Sequence, residues 1–482
     1  MAMKNKSLIK NAIFNVAYKI LNIMFPLITS MYVARILLPE GIGKVSAAQN
    51  NSSYFLILAS LGIPAYGIRE ISQSRGNQNT INTVFSELFT INFILTCLSV
   101  VLYLIYVSKF LNNNRSHFLY YIFGVSIFLN IINVDWLYQG LEEYVYIAIR
   151  SCIVKAVAFL MIIVFVKDCE DIYIYASISI LSICGNYIFN IVHSRKYVKL
   201  LLNNLNLKRH LKYLLFLALC TISTELYARM DITMLDIMKN ETEVGLYSYA
   251  HKIVNLVITF LVAITSVFLP RLSYYYQEDK KKFSALITIG LHLMIFISLP
   301  AFVGFLFLSE PIIYIAYGND FIAASQILKI FAIMIPIKCI GDIICYQVMI
   351  ASKRESTLMK SYFVVMIVNF GINILLIPCI GSKGAAIASI VSEVLAFICV
   401  LIPALRIVCV KINKRSVICD LISSIFLMFF LAYIRTSIQD NTVTVALGII
   451  CGFVIYIVTN LILKNPTLYY CYDILKKRGD KY

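Results

Sequence analysis

The chain has 482 residues, of which 60% are hydrophobic and 14% charged, and its mean hydropathy is +0.83. That composition excludes an ordinary soluble domain. The formal net charge of +17 does not call for nucleic acid, because its basic residues gather in loops that would face anionic lipid headgroups.

In chain order, fourteen apolar runs are each long enough for the roughly 20 residues of a spanning helix. They are 11–38, 43–66, 81–107, 118–138, 147–166, 172–193, 213–238, 244–269, 284–308, 324–349, 357–378, 385–405, 417–434 and 442–463. The ten-residue alternation of a membrane β-barrel is absent. The expected fold class is therefore an all-α polytopic membrane protein with about 14 transmembrane helices. Lys4, Lys6 and Lys10 look like the basic start of a signal peptide, but the run behind them is too long and reads as the first span. With the N-terminus in the cytosol, inner segments hold 26 Lys and Arg and outer segments seven. A bias of that size predicts both termini in the cytosol. The longest outer loop is expected at 309–323. The thirteen cysteines form no C-x-x-C pair and are expected to act as small buried hydrophobes.

A weak internal repeat organises these spans. Gly43, Ser46 and Ala48 match Gly245, Ser248 and Ala250 at an offset of 202, between the first and second spans of each half. Tyr138-Gln139 matches Tyr346-Gln347 near the inner end of each fourth span. The expected organisation is an N-terminal lobe at 1–205, a C-terminal lobe at 206–408, and two further helices with a cytosolic tail at 409–482. An even number of spans per half makes the repeats parallel. The basic segment 194–212 between the halves is expected to be an interfacial helix.

Ten Lys and Arg fall inside the apolar runs, although an ionisable group at bilayer depth costs at least about 2.5 kcal/mol. Helical phase at 100° per residue sorts the polar residues onto single faces. Asn15, Lys19, Asn22, Pro26 and Ser30 share a face of the first span; Ser46, Gln49, Asn50, Ser53 and Ser60 share one in the second. Glu225, Arg229 and Asp236 line the seventh span, with Thr221 alongside. Ser248, Lys252, Asn255, Thr259 and Ser266 line the eighth. Helix–helix hydrogen bonding accounts for such Ser, Thr and Asn; polar packing does not require a cation. Lys19, Asn22, Asn50, Arg229, Lys252 and Asn255 are therefore the candidate substrate-binding residues of a hydrated cavity, whose cargo is anionic. Glu225 and Asp236 are candidates for coupling or gating, Glu225 also as an ion-pair partner of Arg229 one turn on. Lys338 and Asp342 are expected to pair at the same spacing. Asp231 and Glu393 are expected to be packing partners or proton sites, Glu393 alone in its span. Nothing in the last two spans asks for water, which predicts that they face lipid.

Four stretches resemble motifs of the bacterial polysaccharide repeat-unit flippases of the O-antigen and capsule type. They are R-I-L-L-P-E-G-I-G (Arg35 to Gly43), L-G-I-P-A-Y-G-I-R-E-I (Leu61 to Ile71), D-W-L-Y-Q-G-L-E (Asp135 to Glu142) and L-I-P-C-I-G-S-K-G-A-A (Leu376 to Ala386). The resemblance implies the fold of the multidrug/oligosaccharidyl-lipid/polysaccharide exporter superfamily, two six-helix lobes around a central cavity plus two C-terminal helices. It implies a cargo as well: an oligosaccharide on undecaprenyl diphosphate, moved from the inner to the outer leaflet of the cytoplasmic membrane by alternating access. Membrane lipids are then partners, together with polymerase or chain-length machinery. In related peptidoglycan-precursor flippases basic residues meet the diphosphate, a part for which Lys19, Arg229 and Lys252 are placed here.

The alternatives are a lipid-II-type flippase, a cation-coupled multidrug antiporter of the same fold, and a polytopic polymerase, ligase or glycosyltransferase. An antiporter needs carboxylates in its first lobe, and the first span has none. An enzyme needs a sizeable loop, and 309–323 offers only Glu310 and Asp320. The five histidines are scattered and no G-x-x-x-x-G-K-[ST] occurs, so neither a metal, ATP hydrolysis nor a cofactor is called for.

Overall fold

The computed structural model describes residues 8–110, 117–201, 203 and 205–468. Among them every regular element is helical, and ten helices are long and apolar enough to cross a membrane. The protein is a multi-span membrane protein. Its contacts divide it into two units, Met1–Asp236 and Ile237–Tyr482.

The first unit opens with α1 (Leu8–Ser60), which joins two expected spans across a kink at Leu38, φ 58 and ψ 171. Pro39 supplies the reason, since it cannot donate into the preceding turn and starts the second arm. Gly62, at φ 74, turns the chain into α2 (Ile63–Gln73), and α3 (Gln78–Phe110) follows. The fourth expected span is broken into α4 (His117–Leu129), a single 3-10 turn and α5 (Asp135–Gly140). Asparagines make the break tolerable: Asn92 Nδ2 donates to the Asn130 carbonyl at 2.7 Å, and Asn130 Nδ2 to Asn92 Oδ1 at 3.2 Å. Non-helical backbone at membrane depth needs such partners. Helices α6 (Tyr144–Phe165), α7 (Ile172–Ser194) and α8 (Lys208–Met238) complete the unit.

Two of the quoted motifs pack on each other. A Cβ on Gly67 of α2 would lie 2.7 Å from the Trp136 ring of α5, and one on Gly140 would lie 2.8 Å from Ile71. Glycine at both positions lets the two helices touch.

The segment between α7 and α8 corrects an expectation. It is not an interfacial helix but a strap along α3. Asn82 Oδ1 accepts from the Lys199 N–H at 3.0 Å, Ser86 Oγ from Leu201 at 2.8 Å and Glu87 Oε1 from Asn206 at 2.7 Å. Polar side chains one turn apart on α3 take up the backbone groups that a helix would have paired.

The second unit starts with α9 (Glu241–Ser266), capped by Asn240, whose side chain accepts from the Glu243 N–H. It continues through α10 (Leu269–Glu278) and α11 (Lys280–Tyr317). The outer loop expected at 309–323 is thus helical as far as Tyr317. The tenth expected span is broken into α12 (Ala324–Ala332), α13 (Met334–Gly341), a π turn over Asp342–Tyr346 and α14 (Gln347–Ala351). Then come α15 (Glu355–Ile380), α16 (Ser382–Leu405), α17 (Lys414–Ser437) and α18 (Asn441–Ile462).

The fourteen expected runs reduce to ten qualifying helices for local reasons. One pair is fused in α1, two runs are interrupted, and α8 carries Glu225, Arg229, Asp231 and Asp236. Leu38 and Asn240 each leave helical backbone, and Glu142 and Lys353, both at φ 57, form left-handed turns. Those turns are closed by Glu143 N–H to Tyr138 O at 2.9 Å and Arg354 N–H to Met349 O at 2.8 Å, the helix-ending bond pattern that follows a left-handed residue. Of the described cysteines, Cys184, Cys339, Cys345 and Cys419 are buried as expected, whereas Cys97, Cys152 and Cys379 on helices and Cys169 and Cys409 in connecting segments are exposed.

Candidate functional site

In the first unit, α8 is held at three levels. At its start His210, 1% exposed, lies between Tyr66 Oη at 2.9 Å and Glu87 Oε2 at 2.8 Å, and Arg209 also reaches Glu87. Farther along, Thr233 Oγ1 takes Asn50 Nδ2 and the Tyr54 hydroxyl, each at 2.8 Å. At its end Asp236 Oδ2 accepts from Tyr120 at 3.3 Å. Asn50 and Asp236 are therefore both engaged in helix packing, although the Oδ1 of Asn50 has no protein partner.

Arg229 differs. Its Nε donates to Glu225 Oε2 at 2.8 Å, as the spacing predicts, and the two side chains remain 36% and 38% exposed. This pair is held in place and accessible, which is what an anion exchanging for the carboxylate requires. Asn22 accepts a hydrogen bond from Lys155 Nζ. Lys19 lies on α1, but its side chain is outside the described residues.

Phase analysis of the first, second, seventh and eighth spans missed the cations of α6. Lys155 is buried and sits 5.5 Å from the Phe25 ring centre. Arg150, 5% exposed, donates to Asp135 Oδ1 and Asn186 Oδ1, each at 3.1 Å, and Asn190 also donates to Asp135. The signal available was a basic pair inside an apolar run and an aspartate opening the D-W-L-Y-Q motif. Of the other in-span cations, Arg35, Lys329 and Lys360 are exposed.

In the second unit Lys252 is half-buried, its Nζ 5.2 Å from the Tyr249 ring centre, a cation–π geometry that leaves its N–H groups to other acceptors. Asn255 bonds His251 one turn earlier, at 3.0 Å. One expectation is corrected here. Lys338 does not pair with Asp342 but with Glu393 of α16, at 2.7 Å, which makes Glu393 a packing partner. The π turn swings Asp342 towards Gln347 Nε2 at 2.7 Å and Thr265 Oγ1 at 3.3 Å. Lys338, Asp342 and Glu393 line a cavity of 220 Å³ with Tyr346 and Tyr362. Another correction concerns the last two helices, where the start of α17 and the end of α18 hold a buried polar cluster around Asp420. Their outer faces, with Phe426, Phe429, Ile449 and Phe453 exposed, fit lipid. No group of three or more His, Cys, Asp or Glu that would hold a metal occurs among the described residues.

A family model described as polysaccharide biosynthesis protein matches residues 8–276. A Haloferax volcanii protein provisionally named a low-salt glycan biosynthesis flippase is 24% identical over 188 residues, 39% of this chain and 40% of that relative, so the match spans less than half of its length. A Shigella dysenteriae protein provisionally named an O-antigen transporter is 22% identical over 392 residues, 79% of this chain and 96% of that relative. Among solved structures, the lipid II flippase MurJ in an inward closed conformation superposes with a TM-score of 0.77 at 16% identity, covering 94% of this chain and 98% of that one. That likeness is one of fold.

Proposed function

The chain belongs to the polysaccharide biosynthesis protein family, and on that premise we propose that it is a flippase for lipid-linked oligosaccharide. Its cargo is an oligosaccharide repeat unit on undecaprenyl diphosphate, moved from the inner to the outer leaflet of the cytoplasmic membrane for surface polysaccharide. The chain moves this lipid without chemical change, by alternating access, with both termini in the cytosol as its basic loops predict. We assign Lys19, Asn22, Asn50 and Arg229 of the first unit, and Lys252 and Asn255 of the second, to the cargo. Glu225 and Asp236 are assigned to gating.

One observation carries the reading: Arg229 is paired yet more than a third exposed. A guanidinium so held can exchange Glu225 for a diphosphate through two parallel N–H bonds, and the released carboxylate then reports that cargo is bound. Sugar hydroxyls suit the amides of Asn22 and Asn255 and the Oδ1 of Asn50, whose Nδ2 is already given to Thr233. A lipid II cargo shares the diphosphate, but the family and the named O-antigen relative favour the polysaccharide branch.

The test is complementation in a strain lacking its own repeat-unit flippase. Arg229→Ala is expected to cut surface polysaccharide at least tenfold at equal protein level, with undecaprenyl-linked intermediates building up on the inner leaflet. Normal polysaccharide from that variant would remove Arg229 from the cargo site. Failure of the wild-type chain in every polysaccharide-producing host would remove the function itself.

A further inference from the structure

The two C-terminal helices contain a buried acid that helix packing leaves incompletely satisfied. On α17, Ser416, Asp420, Ser423 and Ser424 lie within about 100° of one another, and Asp420 and Ser423 are 0% exposed. Asp420 Oδ1 accepts from Asn465 Nδ2 at 2.6 Å. Tyr456 Oη lies 3.4 Å from the same oxygen, but its single proton is given to the Phe296 carbonyl of α11 at 2.8 Å. The carboxylate therefore receives one full hydrogen bond. Asp420 Oδ2 and Ser423 Oγ, one turn apart on the same face, are both buried with no protein partner.

The surroundings do not neutralise the acid. The Asn465 amide spends its second N–H on Asn460 Oδ1 at 2.6 Å, and its carbonyl oxygen accepts from Ser416 at 2.9 Å. The runs 417–434 and 442–463 contain no Lys or Arg. An isolated buried carboxylate is strongly disfavoured unless something compensates its charge.

We propose that Asp420 Oδ2 and Ser423 Oγ bind a monovalent alkali cation where the start of α17 meets the end of α18. The donor set is oxygen only, which selects a hard ion. One formal negative charge matches one positive charge, whereas a divalent ion would leave a buried surplus. The bound ion neutralises Asp420 and braces α17 against α18 and against α11, where Phe296 meets Tyr456. This site is separate from the residues assigned to cargo, and it does not depend on what the cargo is.

The experiment is thermal unfolding of the purified full-length chain at constant ionic strength, exchanging choline chloride for sodium or potassium chloride. A saturable rise in Tm of about several degrees is expected with an alkali salt, as for any ligand that binds the folded state alone. The rise should vanish in Asp420→Asn, shrink in Ser423→Ala and persist in Thr436→Ala, whose site is exposed. An equal Tm in choline and alkali salts for the wild type, or an undiminished rise in Asp420→Asn, overturns the proposal. If Asp420→Asn does not fold, an undiminished rise in Ser423→Ala has the same force.

Discussion

Asp135 Oδ1 lies 3.1 Å from Arg150 Nη2, joining the start of α5 to a guanidinium that is only 5% exposed. Asn186 and Asn190 of α7 bond the same pair, so one ion pair connects three helices. Removing one partner leaves a buried charge uncompensated, at a cost of about 3–5 kcal/mol. Asp135→Ala is expected to lower Tm sharply and to reduce the yield of monodisperse protein. The double variant Asp135→Leu with Arg150→Met should recover much of the loss, which size-exclusion chromatography after heating would show.

Gly67 sets a second prediction. A methyl group there meets the Trp136 ring at 2.7 Å, and overpacking of that kind costs about 1–3 kcal/mol. Gly67→Ala should destabilise the first unit, and adding Trp136→Leu should restore part of the loss. An unchanged Tm in the single variant would mean that α2 and α5 can separate freely.

Thr233 serves two partners, Asn50 and Tyr54. Thr233→Val keeps the shape and removes both bonds, at a cost of about 1–3 kcal/mol. Hydrogen exchange of the amides at 229–236 should accelerate, while the amides of α6 keep their protection.

Gly381 stands at φ 61 and ψ −137, between α15 and α16. A side chain there is strained by about 1–3 kcal/mol, and its Cβ would also sit 2.9 Å from Glu243 Oε2. Gly381→Ala should lower Tm. Adding Glu243→Ala should not restore it, because the backbone strain persists and Ser382 loses the carboxylate that accepts its N–H at 2.8 Å.

Asp279 caps α11. The Lys282 backbone N–H, then the Lys282 side chain and the Lys281 N–H, hold its carboxyl below the usual carboxylate range. A depressed folded value means that the cap's contribution is complete above the unfolded value, near about 4, and is lost as the pH falls through the folded one. Exchange at 281–284 should therefore rise as the solution is acidified from pH 5 towards pH 2. Asp279→Asn, which still caps, should flatten that dependence.

Helical phase made one pairing legible: Glu225 and Arg229 pair as their spacing requires. It did not show that Asn50 and Asp236, expected in a hydrated cavity, bond neighbouring helices through Thr233 and Tyr120. Lys338 was misread because it is also four residues from Asp342, and spacing along one helix cannot see Glu393 on another. The strap between α7 and α8, within the segment 194–212, was misread for a similar reason. Its composition suits a helix, but the acceptors that hold it, Asn82, Ser86 and Glu87, lie more than a hundred positions away in sequence.

By itself the sequence determined the all-helical membrane class and the course of most of the apolar helices. These depend on the length of apolar runs and on local residues such as Pro39, Asn240 and Gly381, whose effects act within one turn. Only the tertiary structure decided which polar groups satisfy each other, and hence which remain for a ligand. Arg150 goes to Asp135, Lys338 to Glu393 and Asn465 to Asp420, while Arg229 stays accessible. Those outcomes follow from distances between helices, and in a low-dielectric setting a few tenths of an ångström separate a satisfied charge from a binding site.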